Sequence, residues 1–174
     1  MILSIDDFKV KSLYQISTDR FTVDELQWYI DTYEKEYLIK LLGCDLYNLF
    51  VADLVDREPT TQRFIDIFNP ICEDQGSGCL PIVTHGIKDM LMGFVYFHYV
   101  REQQKNNTIT GNVQPSNELS KQSLNSELAG ILSIRYNRAT ETAEGVRDFV
   151  IKYDDVYPEY MGQKFKYLGL GGMY

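Results

Sequence analysis

At 174 residues, 44% of them hydrophobic and 24% charged, the chain suits one globular domain that can bury a core without staples, which excludes wholesale disorder. A net charge of −8, from 17 Lys plus Arg against 25 Asp plus Glu, argues against tight wrapping on nucleic acid, whose binders neutralise phosphates with clustered cations. Cys44, Cys72 and Cys79 form no Cys-x-x-Cys pair, and an odd number suits a reducing compartment.

The charge is unevenly spread. Residues 1–58 hold 12 acids and 6 bases, residues 59–104 hold 5 and 3, and residues 105–174 hold 8 and 8. From Met161 onward there are Lys164 and Lys166 and no acid. Such polarity can orient like subunits against one another, or it can be a plain solvated acidic face. The start, Met1-Ile2-Leu3-Ser4-Ile5 before Asp6-Asp7, is neither basic nor a long apolar run, so no secretory leader is expected and the protein should stay in the cytoplasm.

In chain order, residues 1–20 read as a short helical turn around Ser4-Ile5-Asp6-Asp7-Phe8 and then an irregular segment. Thr22-Val23-Asp24-Glu25 has the form of a capping box. Behind it Leu26, Ile30, Tyr33, Tyr37 and Leu41 recur at helical spacing, and Gly43 supplies a left-handed stop, so a helix is predicted over 22–42. Asp45 is expected to cap a second helix with Leu46, Leu49, Phe50, Leu54 and Val55 inward, ending before Pro59. Thr60 or Thr61 opens a third through Phe64, Ile65 and Phe68, stopped by Asn69-Pro70. Glu-Asp-Gln-Gly-Ser-Gly between Cys72 and Cys79 reads as a loop.

Leu80 to Gln104 is the organising stretch. Pro81 suits a first helical turn, and Ile82, Val83, Ile87, Met90, Leu91, Met92, Phe94, Val95, Tyr96, Phe97, Tyr99 and Val100 cover most faces. Its longest uncharged run, Met90 to Val100, falls well short of the roughly 20 residues a bilayer needs. It is therefore predicted to be the buried central helix of a core rather than a membrane span.

Residues 105–117 form a polar loop that is long for a compact domain. Thr108-Ile109-Thr110 and Val113 around Gly111-Asn112 suggest a small hairpin, and no other convincing strand is read. A long helix follows from Glu118, with Leu124, Leu128, Ile131, Leu132, Arg135, Ala139, Ala143, Val146 and Val150 on one side. Asn125, Thr140 and Gly145 weaken it enough to bend or break it. The fold class read here is all-α: a helix bundle around a central helix at 80–104, a long helix at 118–150, one hairpin, and an extended tail. Residues 1–152 are the body and residues 153–174 the tail.

That tail holds five of the 13 tyrosines, one phenylalanine and four glycines, without helical period. It cannot bury its rings against itself. Either it folds back over its own domain or it docks on another chain, where Tyr is enriched among anchors.

Catalytic chemistry finds little footing. His85 with Asp89, and His98 with Glu102, each place a carboxylate four residues after a histidine, as an orienting hydrogen bond or half a metal site requires. The two histidines, though, stand about 220° apart around a helix. Paired acids such as Asp6-Asp7, Asp24-Glu25, Glu73-Asp74 and Asp154-Asp155 point apart and lack an apolar frame. There is no Glu-x-x-His metal pattern, nucleophile elbow, phosphate loop or dinucleotide fingerprint. No enzyme, metal or cofactor is expected, and a metal-dependent enzyme using His85 or His98 is the weakest reading.

The order of elements has a resemblance to carry. Met1-Ile-Leu-Ser-Ile-Asp-Asp-Phe-Lys9, the segment Leu41-Leu-Gly-Cys-Asp-Leu-Tyr-Asn-Leu-Phe50, the segment Gly86-Ile-Lys-Asp-Met-Leu-Met-Gly-Phe-Val-Tyr-Phe97 and the tail motif Asp155-Val-Tyr-Pro-Glu-Tyr160 resemble helical head-to-tail connector proteins of tailed bacteriophages. They are most similar to those of crAss-like gut phages. The resemblance covers most of the chain, and its motifs are packing signatures rather than chemical ones.

It implies a virion protein at the head–tail junction, assembled in the host cytoplasm as a ring homo-oligomer, commonly a dodecamer. The ring would bind the portal protein and other connector or tail rings. DNA would pass through as cargo during genome ejection, without sequence-specific binding, and no membrane is involved. Tyr153, Tyr157, Tyr160, Phe165, Tyr167, Leu168 and Leu170 are the expected portal-docking residues, chosen by composition and position in the tail. A net-negative wall suits a channel that lets DNA slide. The alternative is a cytoplasmic phage-encoded regulatory module that binds a host protein through its acidic N-terminal third or its tail.

Overall fold

A computed structural model describes residues 1–16, 20–74, 81–109 and 118–169. Among these, five α-helices dominate: α1 (Arg20–Leu42), α2 (Cys44–Ala52), α3 (Gln62–Phe68), α4 (Ile87–Ile109) and α5 (Glu118–Lys152). A 3-10 helix, Ile5–Phe8, precedes them, and two antiparallel two-stranded ladders join β1 (Leu54–Val55) to β2 (Glu58–Pro59) and β3 (Cys72–Glu73) to β4 (Ile82–Val83). The mostly helical class follows from the sequence periodicity.

Helix α4 is the centre. Ile87, Met90, Leu91, Phe94, Val95 and Phe97 are all buried, and α1 and α5 pack along it. Gly93 and Ala139 make the α4–α5 approach close: a Cβ on Gly93 would stand 2.8 Å from that of Ala139. Small residues at a crossing let helix axes come together.

The central helix begins later than Pro81 suggests. Ile82–Val83 pairs with Cys72–Glu73 in the register Cys72↔Val83, and the backbone N–H of Thr84 donates to the Ile71 carbonyl at 2.8 Å. The β-branched pair Ile-Val fits an edge ladder as well as a helix, and tertiary pairing decides between them. At its other end α4 runs to Ile109, so Thr108 and Ile109 are helical and do not form a hairpin arm. The rest of the expected hairpin, including Gly111 and Asn112, lies outside the described residues.

Helix α1 starts at Arg20, which places Thr22 inside its first turn rather than at its cap. A cap stands earlier, where the Ser4 backbone N–H and hydroxyl both donate to Asp7 Oδ2 at 2.8 and 3.0 Å and the Asp7 backbone N–H donates to the Ser4 carbonyl at 3.1 Å. Gly43, with φ +80°, is both the stop of α1 and the N-cap of α2, so Asp45 sits in the first turn instead of capping it. There its charge still favours the positive helix end.

Leu46 and Phe50 are buried as expected, whereas Leu49 and Val55 are exposed. Val55 turns outward because α2 ends at Ala52 and the chain enters a hairpin. Asp56 and Arg57, both at positive φ (51° and 74°), form its two-residue loop, the backbone that matches strand twist. Asp53 then accepts from the Thr60 and Thr61 backbone N–H groups at 2.7 and 2.8 Å and from both hydroxyls. The Thr61 hydrogen bonds foremost hold its carboxyl down at about 2.

Helix α5 is continuous through Thr140 and Gly145. Leu132, Tyr136, Ala139, Ala143, Val146 and Val150 make its inner stripe, and Ile131 lies outside it. Glu34 of α1 is a buried carboxylate, 4% exposed. It accepts from the Ile2 and Leu3 backbone N–H groups at 2.7 and 2.9 Å and so fastens the N-terminal segment to the core. Burial lifts its carboxyl above the ordinary range, and those two N–H groups oppose the rise.

Candidate functional site: the C-terminal strap

After α5 the chain turns back. Tyr153 and Tyr157 close the reversal through backbone bonds from the Tyr153 N–H to Phe149 (3.1 Å), the Tyr157 N–H to Tyr153 (3.2 Å) and the Tyr160 N–H to Tyr157 (3.0 Å). Pro158 cannot continue a helix. The turn docks on α3: the Tyr157 hydroxyl donates to the Arg63 carbonyl at 2.6 Å, and Arg63 pairs with Glu159 at 3.2 Å. Burial pushes the Tyr157 hydroxyl up to about 12, and the nearby Asp66 adds to the shift.

From Met161 the chain becomes an extended strap across α1 and α5. Its backbone is tied at every second residue through most of its length. The Met161 N–H donates to the Leu42 carbonyl (3.2 Å), the Gln163 N–H to the Lys40 carbonyl (2.8 Å) and the Phe165 N–H to Glu144 Oε1 (2.6 Å). Asn137 then closes a two-way clamp, accepting from the Leu168 N–H at 2.8 Å and donating to the Leu168 carbonyl at 2.9 Å. A side-chain amide presents one acceptor and two donors, so it can imitate a neighbouring strand.

Phe165 is the strap's apolar anchor. Its ring stacks against Phe94 (5.5 Å between centroids, 18° between planes) and near Tyr37 (6.1 Å), while Phe94 and Tyr37 stack on each other at 3.9 Å. The Lys40 ammonium caps the outer face, 4.5 Å from the Phe165 centroid, an arrangement attractive to the ring quadrupole.

Of the expected docking residues, Tyr157 and Phe165 are therefore core residues, 2% and 5% exposed. Tyr153, Tyr160 and Leu168 are half-buried against the same core. Tyr167 points outward at 54%, as does Met161 at 77%. Leu170 lies outside the described residues. The strap thus folds back over its own domain and still presents Met161, Lys164, Lys166 and Tyr167 to the outside. Between the last turn of α5 and the strap's entry a shallow hollow of about 300 Å³ is lined by Val150, Ile151, Asp154, Tyr157, Pro158 and Tyr160.

The residues whose side chains hold the strap and its turn, Asn137, Glu144 and Arg63, carry no sign of that role in the sequence. Polar residues on a long helix read as solvent-facing until a segment far along the chain arrives to bond them. A weak signal existed for Phe165, a lone apolar residue between Lys164 and Lys166 in a non-helical run.

The histidines are separated, as their spacing requires. His85 is exposed and precedes α4, so the His85–Asp89 pairing on one helical face does not form, and Asp89 instead meets Arg138 at 3.5 Å. His98 is half-buried, stacked on Tyr33 at 3.8 Å with its Nε2 2.8 Å from the Tyr37 hydroxyl. Burial first, and Arg101 second, lower it to about 4, while Glu102 works in the opposite direction. Among the described residues no group of three His, Cys, Asp or Glu side chains is placed to hold a metal. No described helix is long and apolar enough to cross a membrane.

Compared with protein-family models, curated proteins and solved structures, the chain matches none.

Proposed function

We propose that this protein is a structural subunit of a head-to-tail connector ring in a tailed bacteriophage, attached to the portal at the junction of capsid and tail. The observation that carries the reading is the strap. It is an extended segment with a fixed backbone, on a helical body, whose outward side chains Met161 and Tyr167 are large and apolar and lie among lysines. An ordered array of this kind loses little entropy on docking, and exposed aromatic anchors are typical of interface hot spots. The family resemblance supports the same role, since its segments 41–50 and 86–97 supply the α1–α2 junction and the central helix that carry the strap.

Deleting residues 154–174 does not test this cleanly, because it removes Tyr157 and Phe165 from the core. The clean variants are Met161→Ala and Tyr167→Ala, which touch only exposed side chains. Both together are expected to weaken co-sedimentation with the portal protein of the same phage by at least tenfold while leaving the melting temperature unchanged. Undiminished portal binding by the double variant would remove the strap from the interface. Detection of the protein in purified virions is expected, and its absence there would favour a regulatory role in the infected cell.

A further inference from the structure

The strap is an extended chain bonded along one edge. Met161, Gln163 and Phe165 send their N–H groups into the body, to the Leu42 carbonyl, the Lys40 carbonyl and the Glu144 carboxylate. The two carbonyls belong to the last turn of α1, where no partner exists within the helix, so these ties hold the edge firmly. Successive N–H groups of an extended chain point to opposite edges, so those of Lys164 and Lys166 are turned away from the body. Among the described residues no hydrogen bond reaches the backbone of either lysine, and both are exposed. Neither ammonium is in an ion pair among the described residues. A row of unpaired backbone groups on a fixed edge is a template for another strand.

We propose that this open edge takes a strand from the portal, an extended segment with Asp or Glu at alternate positions, paired to the backbone of Lys164 and Lys166. The two lysines select that partner. A second strap laid on the same edge would set ammonium against ammonium, which is how lysines keep like edges apart. A strand with carboxylates at alternate residues sets them across the ladder from Lys164 and Lys166, where opposite charges attract. In strand addition the main-chain bonds supply affinity and the alternate side chains supply specificity. The edge is already held by its other N–H groups, so docking orders little that is not ordered beforehand. This contact rests on the connector reading and deepens it: Met161 and Tyr167 are the side-chain anchors, and the ladder fixes register between them.

The test is amide hydrogen exchange of the full chain, alone and with the portal protein of the same phage. Alone, the Lys164 and Lys166 amides should exchange fast and those of Gln163 and Phe165 slowly. The portal should slow the lysine pair at least tenfold. Lys164→Pro removes an N–H that the body does not use, and the extended Gln163 before it suits a following proline. That variant should bind the portal at least tenfold more weakly with an unchanged melting temperature. K164E/K166E should lose as much, and wild-type binding should weaken as salt rises. A portal that binds while the Lys164 and Lys166 amides stay fast would overturn the ladder and leave the connector reading standing. Undiminished binding by Lys164→Pro would do the same, and undiminished binding by K164E/K166E would overturn the acidic strand. A portal that does not bind the wild type at all would overturn both readings together.

Discussion

Gly162 lies so close to the Leu41 carbonyl oxygen that any side chain on it would overlap that atom. From the other side Gly43, at φ +80°, leaves 2.8 Å between the place of a Cβ and the Met161 backbone. The two glycines form a seam through which the strap enters at the α1–α2 junction. Gly162→Ala must either lift the strap or shift α1. It should cost about 1–3 kcal/mol, as overpacking does, whereas Gly169→Ala, with nothing within 4 Å, should be neutral. Thermal melts of the two variants side by side check this; equal melting temperatures would mean that the seam is loose.

Phe165 and Tyr167 stand two residues apart and belong to different worlds. Phe165→Ala empties a buried aromatic site and should lower stability by about 3–5 kcal/mol. Tyr167→Ala removes an exposed ring and should stay within about 0.5 kcal/mol of wild type. Urea unfolding of both variants separates a strap that is part of the core from one that merely rests on it.

The Asn137 clamp predicts a local effect. Asn137→Ala deletes both bonds to the Leu168 backbone and should speed amide exchange at Leu168, while the Gln163 amide, bonded to Lys40, keeps its protection. Loss of protection along the whole strap would show that it detaches as a single unit.

His98 gives the pH dependence. Its folded value of about 4 lies below the ordinary 6.5, so between those values the unfolded chain binds more protons than the folded one. Stability should therefore fall as pH drops through that window, and this contribution should level off below about 4. His98→Gln should flatten the slope. An identical slope in that variant would assign the acid sensitivity to the carboxylates instead.

How legible this was depends on how local the cause is. The α1 periodicity, the Gly43 stop and the apolar density of 87–100 are local, and helices α1 and α4 follow from them. Pro81-Ile82-Val83 reads as a helix start because its partner strand, Cys72–Glu73, declares nothing in sequence. Asp45 looks like a cap because Gly43, with no side chain to bond, gives no sign that the cap stands two residues earlier. Continuity of α5 through Gly145 comes from packing, with the glycine lying under β4 where a Cβ would stand 2.7 Å from the Thr84 methyl. The strap was hardest to read. Its tyrosines and glycines announced an unusual segment, but its course is set by bonds from Asn137, Glu144 and Lys40, residues 20 to over 100 positions earlier.

The central claim is attachment to a portal, and negative-stain electron microscopy of this protein mixed with the portal protein of the same phage tests it most directly. The account predicts an added ring of density beneath the portal, lost when Met161 and Tyr167 are both replaced by alanine. A portal that stays bare with wild-type protein, under conditions where a control adaptor decorates its own portal, would contradict it.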